Sequence, residues 1–318
     1  MVVGAGTYVG FVRRGTGGAP VTVDIAPGET TAQIAHQLDA DGVIGNTLWF
    51  RLIAKLRGID GKIEAGRYAL RKGMGTQAAL DVLSGTAGPA GAPVTVPEGF
   101  TLRQIAERLG AHTQISAPSF VTAATNGSVR APLERPNVGS LEGLLFPQTY
   151  VVAPHDTAVT VTQRMVDEFV RATDSVDWSY PRARGLSPYQ AVIIASLVER
   201  EAKVPEDRPK VAAVVYNRLA RGMRLQIDAT ALYGVPHKVP TQADLRRASP
   251  YNTYLINGLP PTPIASPGLA AIEAAAHPAA LDALYYVVCE PSGKSCFTRS
   301  AAEFERLKRL RPAETRGQ

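Results

Sequence analysis

The chain has 318 residues, 45% hydrophobic and 19% charged, a balance that excludes a disordered protein and leaves room for two or three domains. A net charge of +6 favours anionic surroundings: nucleic acid, a membrane surface or an anionic cell wall. No Lys/Arg block with interleaved aromatics occurs, which sets nucleic acid aside as a partner.

In chain order, Val2 to Val12 is apolar and precedes Arg13-Arg14. It is shorter than the roughly 20 residues a membrane helix needs. It reads either as the outer end of such a helix or as a first strand. Residues 1–15 are set apart as a candidate remnant of a membrane anchor, ahead of an N-terminal α+β region over 16–93. A weak repeat follows. Val21-Thr22-Val23 leads through Pro27-Gly28 to Gln33-Ile34-Ala35, and Val94-Thr95-Val96 leads through Pro97-Glu98-Gly99 to Gln104-Ile105-Ala106. Each copy reads as a short strand, a Pro/Gly turn and an amphipathic helix, and is similar to the LysM-like modules that grip glycan chains. Residues 94–135 are assigned to such a module. Between the copies the pattern predicts a helix over Asn46 to Leu56, a strand over Glu64 to Leu70 and a helix over Thr76 to Leu83. Ser84 to Pro93, rich in Gly, Ala and Pro, reads as a linker; no Gly-Lys-Ser/Thr follows it, so it is not a phosphate loop.

From Leu141 the composition shifts, and 136–318 reads as a catalytic domain. Thr157 to Ala172 reads as a helix and Asp174 to Gly185 as an irregular connection. Ser187-Pro188 is a helix start, followed by an unbroken small and apolar run, Ala191 to Val198, and then Glu199-Arg200-Glu201. A helix with so little polar face is buried on most sides, and two carboxylates arrive where it ends. Two residues apart, they point to nearly opposite sides, so one enters a cleft while the other meets solvent or a structural partner. Spacing does not say which, and a salt bridge to Arg200, Lys203 or Arg208 is the plain alternative. A second helix spans Val211 to Leu219. Arg224 to Thr230 then alternates Gln226, Asp228 and Thr230 with apolar residues, as on a strand whose polar face lines a groove. Asn252, Tyr254 and Asn257 line a cleft or close turns. Towards the C-terminus, a helix is predicted over Pro267 to Ala276, a strand over Leu284 to Cys289 and a helix over Ala301 to Leu310. The five histidines show no ligand spacing and no Gly-x-Ser-x-Gly elbow is present, so neither a metal nor another cofactor is expected. Cys289 and Cys296 close a hairpin disulfide or remain thiols, according to compartment.

Val198-Glu199-Arg200-Glu201, Asn217-Arg218-Leu219, Gly222 to Asp228, Ser249 to Tyr254, Gly258-Leu259-Pro260-Pro261 and Ala275-Ala276-His277-Pro278 occur in this order. With Leu141-Glu142-Gly143 and Phe146 to Tyr150 upstream, the set resembles the YceG-like endolytic murein transglycosylases. The resemblance implies an α+β protein: a LysM-like N-terminal region and a mixed α+β domain that cleaves nascent peptidoglycan glycan strands. It also implies a single-pass cell-membrane protein whose catalytic part is extracytoplasmic, with cell-wall synthases as candidate partners. Carried over by position, the catalytic acid/base falls on Glu199, and Glu201, Asn217, Gln226, Asp228, Asn252 and Tyr254 form the substrate-binding set. The departures are an incomplete membrane helix and the cysteine pair. Two other readings stay open: a hydrolytic muramidase with Asp228 as second carboxylate, and a non-catalytic glycan-binding scaffold.

Overall fold

The computed structural model describes residues 18–85, 91–133, 139–154, 156–237 and 239–310. The apolar stretch ahead of Arg13 and residues 86–90 of the predicted linker lie outside the described residues. The protein is mixed α and β, and it divides into two compact units, 1–93 with 151–155 and 94–150 with 156–318.

In the first unit, strand β1 (Pro20–Ile25) pairs antiparallel with β2 (Gly66–Arg71), Val21 opposite Leu70 and Val23 opposite Tyr68. Helices α1 (Thr31–Ala40), α2 (Thr47–Leu56) and α3 (Thr76–Leu83) enclose Val23, Ile25, Leu38, Phe50, Leu70 and Leu80 in one core. Local chemistry starts these helices. Thr30 and Gln33 cap α1 reciprocally, and the Asn46 side chain accepts the Trp49 N–H (2.8 Å) to begin α2.

The second unit takes up the other copy of the repeat. Strand β3 (Ala92–Thr95) pairs with β4 (Thr149–Val152), and α4 (Leu102–His112) opens with the same Thr-x-x-Gln box, here Thr101 and Gln104. Both turns place a glycine in the left-handed region, Gly28 at φ 86° and Gly99 at φ 75°, as the sequence pattern requires. Helices α5 (Ala117–Thr125), α6 (Ala158–Thr173) and α7 (Ser179–Arg182) follow; α5 was not anticipated, and the four-residue α7 interrupts the stretch 174–185 expected as an irregular connection.

Helix α8 (Pro188–Glu201) is the centre of this unit. Residues 191–198 are all buried, as the apolar run dictates. It packs against α9 (Arg208–Ala220), short helices α10 (Asp228–Ala231) and α11 (Gln242–Arg246) come next, and then α12 (Leu269–Ala276). The alanines of α12 let it approach α8 closely. The one polar side chain in the buried stretch, Ser196, is satisfied: its hydroxyl donates to Ile193 O (2.7 Å) and accepts the Ile264 N–H (3.1 Å). Hairpin β5 (Tyr285–Val288) and β6 (Ser295–Thr298), closed by the Cys289–Cys296 disulfide, and helix α13 (Ala301–Arg309) complete the unit. Upstream, Glu142 is 3% exposed and accepts the Leu102 N–H (2.9 Å) and the Tyr233 hydroxyl (2.7 Å). Burial pushes its carboxyl up to about 7 against those hydrogen bonds.

One expected element is corrected. Residues 224–230 form no strand: Gln226 adopts φ 50°, and helix α10 begins at Asp228. The amides of this turn have partners outside any ladder. Gln226 N–H donates to Thr253 O (3.1 Å) and Ile227 N–H to Thr253 Oγ1 (3.0 Å). Thr230 faces inward, fully buried, and meets the Thr253 hydroxyl at 2.8 Å, so it lines no groove.

Candidate active site

A cleft of roughly 1170 Å³ opens beside the C-terminal end of α8, lined among others by Glu201, Arg218, Gln226, Asp228, Tyr254 and Tyr286. Each group arrives from a different element, and the two carboxylates and Arg218 are held by side-chain hydrogen bonds. The Tyr286 hydroxyl, from β5, donates to Glu201 Oε2 (2.8 Å). The Tyr254 hydroxyl donates to Asp228 Oδ1 (2.5 Å) at the start of α10. Two carboxylates therefore face one cleft, each gripped by a phenol. Arg218, 8% exposed, spends its guanidinium on carbonyls, Nε on Leu284 (2.7 Å) and Nη1 on Leu225 (2.5 Å). It fixes a positive charge beside Glu201 without neutralising it by a direct ion pair.

Burial raises the Glu201 carboxyl above its ordinary value; the Tyr286 hydrogen bond, Lys203 and Arg200 oppose this, and the charge of Asp228 adds to it. The Tyr286 phenol is itself raised well above its ordinary range by burial and by Glu201, so it stays a donor. Among the described residues, Gln226 is the only non-glycine with positive φ, a strained conformation of the kind that clusters at functional sites. The Thr230–Thr253 contact pins that turn beneath the cleft.

Glu199 lies on another side of α8. Its Oε2 accepts the N–H of Gly268 (3.1 Å), the N-cap of α12, which has no capping side chain of its own. Glu98 crowds the same glycine: a Cβ on Gly268 would meet its Oε1 at 1.9 Å. The turn carrying Glu98 is tied down by Arg200 Nη1 donating to Gly99 O (3.3 Å) and by Gly99 N–H donating to Ser266 O (2.8 Å). Burial raises the Glu199 carboxyl, the Gly268 N–H opposes this, and the charge of Glu98 adds to it. In this position Glu199 serves as a cap supplied to α12 from outside, an anion at a helix N-terminus.

Of the predicted residues, the cleft thus gathers Glu201, Gln226, Asp228 and Tyr254. Asn217 and Asn252 do structural work. Asn217 Nδ2 donates to Leu281 O (2.7 Å) and Ala283 O (2.9 Å), fixing the approach to β5. Asn252, 1% exposed, donates to the carbonyls of Asp244, Leu245 and Arg247. Tyr286 went unpredicted: it reads as one more apolar-strand residue, and only its partner 85 positions away reveals its hydroxyl's use.

The YceG-like family profile matches residues 23–310. The chain belongs to the YceG-like family. An endolytic murein transglycosylase of Bacillus subtilis (strain 168) is 33% identical over 310 residues, spanning 91% of this chain and 84% of that protein. One from Streptococcus pneumoniae (strain ATCC BAA-255 / R6) is 32% identical over 320 residues, spanning 90% of this chain and 57% of that protein. The crystal structure of a YceG-like protein from Listeria monocytogenes matches with a TM-score of 0.60 and 30% identity, covering 91% of this chain and 99% of that one. The cleft described above lies within the YceG-like match.

Proposed function

We propose that this chain is an endolytic murein transglycosylase in which Glu201, rather than Glu199, is the acid/base. The observation that carries this reading is the convergence of Glu201 and Asp228 on one cleft. Protonated Glu201 gives its proton to the glycosidic oxygen between N-acetylmuramic acid and N-acetylglucosamine as that bond breaks. As carboxylate, it then takes the proton of the muramic C6 hydroxyl while O6 bonds to the anomeric carbon. A 1,6-anhydro end forms, no water is consumed, and Glu201 returns to its starting state. The intramolecular hydroxyl takes the place of the second nucleophile that hydrolysis requires. Asp228, held by the Tyr254 hydroxyl on the same cleft, stabilises the positive charge that develops on the sugar ring. The strand–turn–helix copies serve as LysM-like grips on the glycan, and the protein works outside the cytoplasm, held by a single membrane helix near cell-wall synthases.

Digestion of purified glycan strands followed by product mass analysis tests the reaction. Ends lighter by one water than hydrolysed ends are expected. Ordinary reducing ends would mean a muramidase, and glycan binding without cleavage would mean a scaffold.

The proton-holding role of Glu201 has its own test in Tyr286→Phe. The ring stays, but the hydrogen bond that favours the carboxylate is lost, so Glu201 keeps its proton to higher pH. Since the protonated form is active, the alkaline limb of the kcat/KM profile is expected to move to higher pH. A limb that stays put, or moves down, would remove Glu201 from the acid role.

A further inference from the structure

Helix α2 is apolar almost all round, yet only one side of it is covered. Phe50 and Ala54 are fully buried in the core of the first unit. Leu48, Trp49, Leu52 and Leu56 are 72%, 51%, 48% and 73% exposed. At the helical repeat these four fall within an arc of about 100°. Arg51 and Lys55, both exposed, border that arc on one side. Four large apolar side chains standing in water on one short helix form a contiguous patch, which marks an interaction surface rather than chance exposure.

We propose that this face of α2 seats in the headgroup layer of an anionic lipid bilayer. Leucines and a tryptophan on one face with Lys and Arg along its edge match a helix lying in the membrane interface. The cations complement anionic headgroups, and Trp is favoured at that depth. Ten residues give a helix about 15 Å long, so α2 lies on the bilayer and does not cross it. The sequence of the same unit also carries Val2 to Val12 followed by Arg13-Arg14, a second apolar-then-basic segment suited to that surface.

Sedimentation of the full chain with vesicles of equal parts phosphatidylcholine and phosphatidylglycerol tests this, with pure phosphatidylcholine as control. Binding is expected to the anionic vesicles and to weaken with salt. It should come with a blue shift of Trp49 emission that Trp49→Phe removes; Trp178, 9% exposed, is already buried. Paired Arg51→Gln and Lys55→Gln substitutions should weaken binding roughly 10–30-fold, and paired Leu52→Ser and Leu56→Ser substitutions by more than about tenfold. These side chains are exposed, so unchanged melting of both variants shows that folding is intact. No binding to anionic vesicles overturns the proposal. So does undiminished binding of both variants, which would pass the role to residues 1–14. Self-association that the two serine substitutions abolish, with no vesicle binding, would assign the face to a second copy of the chain instead.

Discussion

Glu201→Gln is expected to abolish glycan cleavage, whereas Glu199→Gln is expected to leave most of it. General acid/base catalysis contributes about 10²–10⁴-fold, and here one residue serves both proton transfers, so the loss at Glu201 should fall in the upper part of that range. The carboxamide keeps the size of the carboxyl and cannot donate an acidic proton, so folding and glycan binding should survive. At position 199 the same change costs less, because the amide oxygen still accepts the Gly268 N–H. What is lost is a charge at the start of α12, worth about 0.3–1 kcal/mol. Turnover within about tenfold of the unmodified protein is expected. Rates on glycan strands, measured beside melting curves for both variants, decide the matter. A dead Glu199 variant with a near-normal Glu201 variant would return the acid to Glu199 and leave the cleft without its chemistry.

The second large effect is on stability. Gly143 sits at φ 79°, and a Cβ there would lie 2.3 Å from Pro263 Cβ and 2.5 Å from its Cγ. A proline ring cannot swing aside as a long side chain can. Gly143→Ala therefore combines a left-handed backbone, costing about 1–2 kcal/mol, with overpacking, costing about 1–3 kcal/mol. For a unit of this size the sum lowers Tm by roughly 4–20 °C. Gly258→Ala separates the two causes: φ is 81°, but nothing lies within 4 Å of the added Cβ. It should show the backbone cost alone, about 1–2 kcal/mol. Equal Tm changes in the two variants would remove the Pro263 contact as a cause.

Much of this protein was written locally. The Thr-x-x-Gln boxes at Thr30 and Thr101 and the Ser187-Pro188 start each satisfy orphan amides within one turn, so they place α1, α4 and α8 without help from distant residues. The apolar run Ala191 to Val198 required a buried helix whatever surrounded it. Opposed directions for Glu199 and Glu201 also followed from helical geometry alone. Which of the two meets a cleft did not, because that depends on what covers each side of α8. The Glu98–Gly99 turn and the start of α12 close one side, and the hairpin bearing Tyr286 stands at the other. The polar alternation at Gln226, Asp228 and Thr230 misled for the same reason. Alternation specifies a strand only where a neighbouring strand takes its amides, and here Thr253 takes them, bending the chain into a turn that delivers Asp228 to the cleft. Asn217 and Asn252 carry groups able to bind sugars, but backbone carbonyls accept from both Nδ2 groups, far along the chain at Asn217 and in the preceding turn at Asn252. Sequence determined the long capped or apolar-patterned helices, the repeat and the family, since short-range hydrogen bonds and apolar periodicity leave a local record. Tertiary structure alone assigned the polar groups, because each takes whichever partner folding brings within hydrogen-bonding distance.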